Sequence, residues 1–346
     1  MTHRDLVVVG ASAGGVEALR EFVGALPTDL PAAVLVVLHL PSAGPSVLAS
    51  VLSRRSPLPV QTAHDGAPLT EGVVLVAPPD RHLVAGGDTV AVTAGPEEHG
   101  HRPAVDVLFR SAARSRGPRV VAVVLSGTLD DGTAGATEVR AAGGLVAVQD
   151  PSDALYGAMP SAAAARAGAD AVASAATLAE VVASWCREPV EETTSIGPGS
   201  VEASTNLGQG PDPVDLPHES RGEPSGLTCP ECQGALFTVG DTDLLRLRCR
   251  VGHAWSADSL AARQQGAVER ALWAAARALD ERADFCDRLA DRARHEGGQP
   301  DVGRLRRLAD EARTFSSVVT GFLATATRAE GETVDGPGPR DIGGVS

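Results

Sequence analysis

Two groups of residues have the types and spacing for chemistry. The first begins at Ser12, set among glycines in Gly10-Ala11-Ser12-Ala13-Gly14-Gly15. A serine hydroxyl is a weak nucleophile at neutral pH and needs a base to take its proton and a carboxylate to orient that base. His39 follows an apolar run at 34–38, and Asp130 and Asp131 end a loop that follows another such run at 120–125. Alone, each has a simpler reading: a core histidine, or a helix N-cap before Gly132-Thr133. Together they offer one hydroxyl, one imidazole and one carboxylate. The second group is Cys229-Pro-Glu-Cys232 and Cys249-Arg-Val-Gly-His253. C-x2-C followed by C-x3-H supplies three thiolates and one imidazole, a closed tetrahedral set for structural zinc.

The turn around Ser12 admits three readings. A dinucleotide-binding turn would place glycine at 12 and an acidic residue after the second strand, where the chain has His39. A P-loop needs Lys-Ser or Lys-Thr after the glycines, and neither is present. Gly10-Ala11-Ser12-Ala13-Gly14 fits G-x-S-x-G, a strained turn that exposes a hydroxyl at a strand end. The order Ser, His, Asp differs from that of the α/β-hydrolases, which points to another scaffold with the same geometry.

The elements that must position these residues can be read from apolar patterning. Runs at 6–9, 34–38, 73–77, 120–125 and 145–148 are buried strands, and 45–52, 105–114, 133–142, 160–167 and 178–185 are helical. Their alternation predicts an α/β domain with a doubly wound, mostly parallel sheet. A hairpin joins 83–84 to 90–93 through Gly86-Gly87-Asp88. In such sheets the site lies beyond the C-terminal strand ends, where Ser12, His39 and the 126–132 loop fall. His99-Gly-His101 beside Glu97-Glu98 could be a metal cluster but reads as a solvated loop over the site, and His82 as lining its cleft.

From about residue 6 to 185 the chain resembles the catalytic domain of the CheB-type chemotaxis methylesterases. Six blocks carry the resemblance: VVVGASAGG at 7–15, VVLHLP at 36–41, EGVVLVAPPDRHL at 71–83, RPAVDVLFRSAA at 102–113, VVLSGTLDDGTAG at 123–135 and QDPSDALYGAMPSAA at 149–163. The resemblance implies Ser12 as nucleophile, His39 as general base and Asp131, in preference to Asp130, as the orienting acid. It implies hydrolysis of glutamate methyl esters on methyl-accepting chemoreceptors, with deamidation of glutamine as a second activity and no cofactor for catalysis. Oxyanion donors are expected at Ala13 N–H and the Thr128 backbone. Ala13 stands where the family often has threonine, and Gly127-Thr128-Leu129 where it usually has Gly-Met-Gly. Regulated members resemble this chain with a phosphorylatable receiver placed before the esterase; with Ser12 so near the start, control by a fused receiver is not expected.

Of 346 residues, 43% are hydrophobic and only 3% aromatic, so the core is expected to be built from Ala, Val and Leu. The net charge of −14 makes nucleic acid an unfavourable partner. No apolar run reaches the roughly 18–20 residues of a membrane span, so no membrane insertion is expected. The first strand follows Met1 too closely for a signal peptide, and the cysteines suit reduced thiols, so the expected location is cytoplasmic. The expected domains are the esterase at 1–186, a flexible acidic linker at 187–225, a zinc ribbon at 226–255, an α-helical hairpin at 256–328 and a disordered tail at 329–346. In the ribbon, 235–239 and 244–248 alternate as strands around Gly240-Asp241. In the hairpin, Leu260, Val268, Leu272, Leu279 and Leu289 face Val302, Leu305, Leu308, Ala312, Phe315, Val319 and Phe322 across an Ala-rich seam, broken by Gly297-Gly298-Gln299-Pro300. Cys186 and Cys286 are expected to be buried apolar side chains.

The hairpin is expected to pack on itself or to dock a regulatory partner. Chelation is expected to unfold the residues beyond about 226 and to spare the esterase. Two rival functions share these features: a non-catalytic adaptor that uses the esterase fold as a binding surface, and a triad hydrolase for another ester or amide.

Overall fold

The computed structural model describes residues 2–39, 47–190, 222–239, 245–295 and 299–332. Most of the expected linker, the Gly240-Asp241 turn, Gly297-Gly298 and the tail from 333 lie outside the described residues, as does the start of the helix expected at 45. Two compact units emerge, Met1–Ala261 and Ala262–Ser346.

In the first unit β1 (Thr2–His3) leads to β2 (Leu6–Ala11), α1 (Gly15–Ala25), β3 (Ala33–Leu38), α2 (Leu48–Ser53), β4 (Val60–Thr62) and β5 (Val74–Val76). The hairpin β6 (His82–Ala85) and β7 (Val90–Thr93) follows, then α3 (Val105–Arg116), β8 (Val120–Val124), α4 (Thr133–Ala141) and β9 (Leu145–Gln149). The domain closes with α5 (Ala158–Arg166), β10 (Ala171–Ala173), α6 (Ala175–Arg187) and β11 (Pro189–Val190), which pairs antiparallel with β1.

Seven strands form one parallel sheet in the order β10-β9-β8-β2-β3-β5-β4. Strands buried on both faces must be apolar throughout, and β2, β3 and β8 are. Along β2, Val7 and Val9 join Leu19 and Phe22 of α1 and Leu178 of α6 on one side. Leu6 and Val8 join Leu108 and Phe109 of α3, Val139 of α4 and Met159 of α5 on the other. The edge strands β4 and β10 are three residues each and only partly covered, too short to stand out as apolar runs.

Register sets the site. Ala11 pairs with Leu38 and Gly10 with Val124, so Ser12, His39 and Ser126 emerge in one row at the C-terminal edge. Ser12 N–H donates to Ser126 O at 2.9 Å and His39 N–H to Ala11 O at 3.2 Å. Gly10 allows close approach from behind: a Cβ there would stand 2.2 Å from Val105 Cγ1, so glycine lets the first turn of α3 seat on β2.

A second, four-stranded antiparallel sheet follows in the same unit: β12 (Glu223–Thr228), β13 (Ala235–Thr238), β14 (Arg246–Cys249) and β15 (Ala254–Ser256). Leu236, Leu247, Trp255 and Leu260 fill its small core beside the cysteines. The unit boundary falls within α7 (Ala257–His295) and not at the linker.

In the second unit α7 runs antiparallel to α8 (Gln299–Glu332), with Arg306 on Asp291 and Arg313 on Asp287. The seam consists of Ala283, Cys286, Ala309 and Ala312, with Leu279 and Leu308 packed beside it. Phe315 and Phe322, expected on that seam, are exposed, as are Val268 and Leu289. Small residues allow the two backbones close approach, which leaves no room there for a phenyl ring. Cys286 and Cys186 are buried, and burial pushes the Cys186 thiol up to about 12.

Candidate active site

Ser12 stands where β2 turns into α1. Gly14 takes a left-handed conformation at φ 70°, and Gly15 N–H donates to Ser12 O at 2.9 Å. Ser126 braces this turn from the neighbouring strand, its hydroxyl donating to Ala13 O at 2.8 Å. Gly127 then passes so close that a Cβ would meet Met159 Sδ at 2.6 Å and Ser12 Cβ at 3.0 Å.

The expected residues converge. His39 Nδ1 lies 3.0 Å from Ser12 Oγ, and Nε2 lies 2.8 Å from Asp131 Oδ2. With Nε2–H donating to the carboxylate, the Nδ1 lone pair faces the serine proton, the arrangement a general base requires. The Asp131 side chain is held by the start of α3: Val105 N–H donates to Oδ2 at 2.8 Å and Asp106 N–H to Oδ1 at 2.9 Å. Burial opposes its charge. The nearby His99 imidazolium, the His39 hydrogen bond and the α3 amides outweigh burial and hold the carboxyl far below its ordinary range.

Asp130 faces the other way. It takes the Ser256 hydroxyl at 2.6 Å and Arg166 at 3.0 Å, and burial raises its carboxyl. The structure therefore separates two adjacent aspartates by what each one meets.

The 97–101 loop covers the imidazole, and two of its side chains are buried where a solvated loop was expected. His101 stacks on His39, with centroids 3.9 Å apart and planes at 13°. His99 and Glu98 are buried. His99 Nε2 lies 3.0 Å from Asp106 Oδ2 and 3.7 Å from Asp131 Oδ1. Burial works against its charge, but Asp131, Asp106 and Glu98 raise its pKa to about 9. Glu98, His99 and Asp106 are close enough to hold a metal ion, but the Arg110 guanidinium already occupies that position. It meets Glu98 Oε2 at 2.5 Å and lies 3.6 Å from Asp106 Oδ2, which disfavours a cation there. His82 is buried: Nε2–H donates to Pro96 O at 2.9 Å and Nδ1 accepts from Ala104 N–H at 3.3 Å. Burial lowers its pKa, which suits that neutral form.

Cys229, Cys232, Cys249 and His253 come together in the four-stranded sheet, their ligand atoms all within 4.8 Å of one another. Cys232 Sγ is 3.5 Å from Cys249 Sγ, and His253 Nδ1 is 3.5 and 3.7 Å from the sulfurs of Cys249 and Cys229. A tetrahedron with Zn–S of about 2.3 Å and Zn–N of about 2.0 Å has edges of roughly 3.5–3.8 Å, so the donor set fits a metal of that size. This module is fastened to the α/β domain. Glu98 takes Arg248 at 3.2 Å and Arg246 at 3.9 Å, and Arg166 reaches Asp258 at 2.9 Å.

A serine hydroxyl, an imidazole and a carboxylate in hydrogen-bond series at the C-terminal edge of a parallel sheet have the geometry of a serine-hydrolase triad on an α/β fold. Residues 7–182 match the CheB methylesterase family model, and the chain belongs to that family. It is 42% identical over 165 residues to protein-glutamate methylesterase/protein-glutamine glutaminase 2 of Methanosarcina mazei, covering 45% of each chain. It is 43% identical over 186 residues to protein-glutamate methylesterase/protein-glutamine glutaminase 1 of Anaeromyxobacter dehalogenans, covering 53% of each. The chain thus spans about half the length of the curated relatives it matches. The CheB methylesterase catalytic domain of Thermotoga maritima matches with a TM-score of 0.50 and 32% identity, over 53% of this chain and 99% of that one. The four-stranded sheet and the helical hairpin lie outside the residues matched by the family model. Among the described residues no helix is long and apolar enough to cross a membrane.

Proposed function

We propose that this chain hydrolyses glutamate methyl esters on methyl-accepting chemoreceptors through Ser12, His39 and Asp131. The observation that carries the reading is the unbroken series Ser12 Oγ–His39–Asp131, at 3.0 and 2.8 Å. Ser12 Oγ attacks the ester carbonyl while His39 Nδ1 takes its proton. The tetrahedral intermediate collapses, His39 returns the proton to the leaving methoxide, and methanol departs. Water, deprotonated by His39, then cleaves the Ser12 acyl ester and leaves glutamate. Asp131 fixes the imidazole tautomer and stabilises the transient imidazolium. The same acyl-enzyme forms from glutamine with ammonia leaving, which accounts for deamidation as a second activity.

The oxyanion needs N–H donors at the turn. Ser12 N–H is engaged with Ser126 O, and Gly127 N–H with Tyr156 O. This favours Ala13 and Thr128, the next residues along the chain in each loop, as donors. None of these steps uses a cofactor.

The four-stranded sheet is read as a zinc ribbon, with Cys229, Cys232, Cys249 and His253 as ligands. Zinc there would supply folding energy to a module with a small core and no part of the ester chemistry. The division into esterase (1–186), ribbon (226–255) and hairpin (256–328), and a cytoplasmic location, belong to the same reading.

The test is methanol release from a methyl-labelled receptor fragment by the native chain, Ser12→Ala and His39→Ala. Release by the native chain alone, with both variants lower by roughly 10⁴ or more, supports the reading. A folded native chain that releases no methanol from receptor, yet turns over other esters, points to a different substrate. One that turns over neither is the adaptor.

A further inference from the structure

The 97–101 loop is shared between the ribbon and the active site. Its backbone extends the ribbon sheet: His99 N–H donates to Ala254 O at 2.8 Å, and Ala254 N–H to Glu97 O at 3.3 Å. Its side chains reach the triad, His101 by stacking on His39 and His99 by facing Asp131. His99 is in turn held from the ribbon side, Nδ1 lying 3.0 Å from Ser259 Oγ in the first turn of α7.

The contacts around Ser259 leave it an acceptor site toward His99. The Ser256 hydroxyl is committed to Asp130 at 2.6 Å. Ser259 Oγ accepts Ser256 N–H at 3.0 Å and lies 2.9 Å from Ser256 Oγ and 3.3 Å from Ser256 O, two acceptors on its own side of the contact that can take its proton. With the proton so placed, its remaining lone pair faces His99 Nδ1. Nε2–H donates to Asp106 Oδ2 at 3.0 Å. Both ring nitrogens thus face oxygen acceptors, and Asp131, Asp106 and Glu98 raise the ring's pKa to about 9, which favours the imidazolium. The titratable and charged groups around it are Asp106 and Arg110 from α3, Asp130 and Asp131 from the loop after β8, and Glu98 and His101 from its own loop. From the ribbon, Arg246 and Arg248 act through Glu98; His39 lies across Asp131.

We propose that His99 is a positioning residue for the triad carboxylate and that the ribbon, through Ser259, holds it in place. Residues far beyond the α/β domain then complete the active site. The inference rests on Ser12, His39 and Asp131 being the triad. The His99 cation does two things. It fixes the carboxylate with Oδ2 turned to His39. It also compensates part of the Asp131 charge, which an uncharged side chain at 99 would leave whole.

The experiment is the rate at which a fluorophosphonate labels Ser12, followed by mass spectrometry across pH, for the full chain, His99→Gln and Ser259→Ala. Bound metal and melting temperature are measured on the same samples. His99→Gln is expected to move the acidic limb upward by roughly half to one pH unit. Ser259→Ala, with metal content unchanged, is expected to lower the plateau by roughly tenfold, because the carboxylate loses its fixed orientation. Since it deletes a single oxygen, Ser259→Ala reads the contact even if His99→Gln misfolds. A native limb and plateau in both variants would overturn the proposal, and so would a lower melting temperature with the profile unmoved. A native chain that is not labelled at Ser12 would instead refute the triad.

Discussion

Replacing Glu98 with glutamine keeps the shape of the side chain and removes its charge. Glu98 is 5% exposed and takes Arg110 at 2.5 Å, Arg248 at 3.2 Å and Arg246 at 3.9 Å. Burial opposes its ionisation, but the three guanidinium groups outweigh it and lower the pKa from 4.5 to about 2. Because the folded pKa lies below the unfolded one, the contribution to stability is complete above pH 4.5. It is lost as pH falls through about 2. A depression of that size corresponds to about 3 kcal/mol, in line with the roughly 3–5 kcal/mol for breaking a buried pair from one side. The assay is urea unfolding followed by the fluorescence of Trp255, which is 1% exposed, in a background with Trp185 and Trp273 replaced by phenylalanine. Glu98→Gln is expected to be less stable by about 3 kcal/mol near pH 7, and the gap to narrow by roughly a third to a half by pH 3.5. A gap below about 1 kcal/mol, the value of an exposed pair, or one that does not change with pH, would refute the view of Glu98 as an ionised clamp.

Three further outcomes are expected. Asp131→Asn keeps the α3 amide contact at one oxygen but favours the wrong imidazole tautomer, and should lower ester hydrolysis by roughly 10³–10⁴; a loss under tenfold would count against the assignment. Gly127→Ala places a Cβ 2.6 Å from Met159 Sδ and 3.0 Å from Ser12 Cβ. It should cost about 1–3 kcal/mol of stability and slow Ser12 chemistry, checked by thermal melting beside turnover. Removing the ribbon metal with a chelator should erase amide-exchange protection in β13, β14 and β15 and at the His99 amide, while β2, β3 and β8 stay protected. Protection retained at His99 would show that the loop does not depend on the ribbon.

The α/β layer was legible because parallel strands covered on both faces leave unbroken apolar runs such as Val7-Val8-Val9 and Val34-Leu35-Val36. Ser12, His39 and the 126–132 loop were legible for a related reason, since each follows such a run at the sheet edge where sites form, whereas the preference for Asp131 over Asp130 came from the resemblance. What local patterning could not show is long range. Ser259 and His99 meet across 160 residues, and neither lies in a motif. β12 is built from Glu-Pro-Ser-Gly-Leu-Thr and pairs through an irregular register, so it has no alternation to read. In the hairpin the Ala-rich seam with Ala312 was expected, but Phe315 and Phe322, read on the same face, stay in solvent. Helix periodicity identifies an apolar stripe without saying which part of it the partner helix covers.

The central claim is covalent: a glutamyl group passes through Ser12 Oγ. Rapid acid quenching of the native chain with a methylated receptor peptide, followed by peptide mapping, tests it most directly. The expected result is a glutamyl ester on the Ser12 peptide that forms together with released methanol and is absent in Ser12→Ala. Methanol release by Ser12→Ala at the native rate, with no adduct on the native Ser12 peptide, would contradict it.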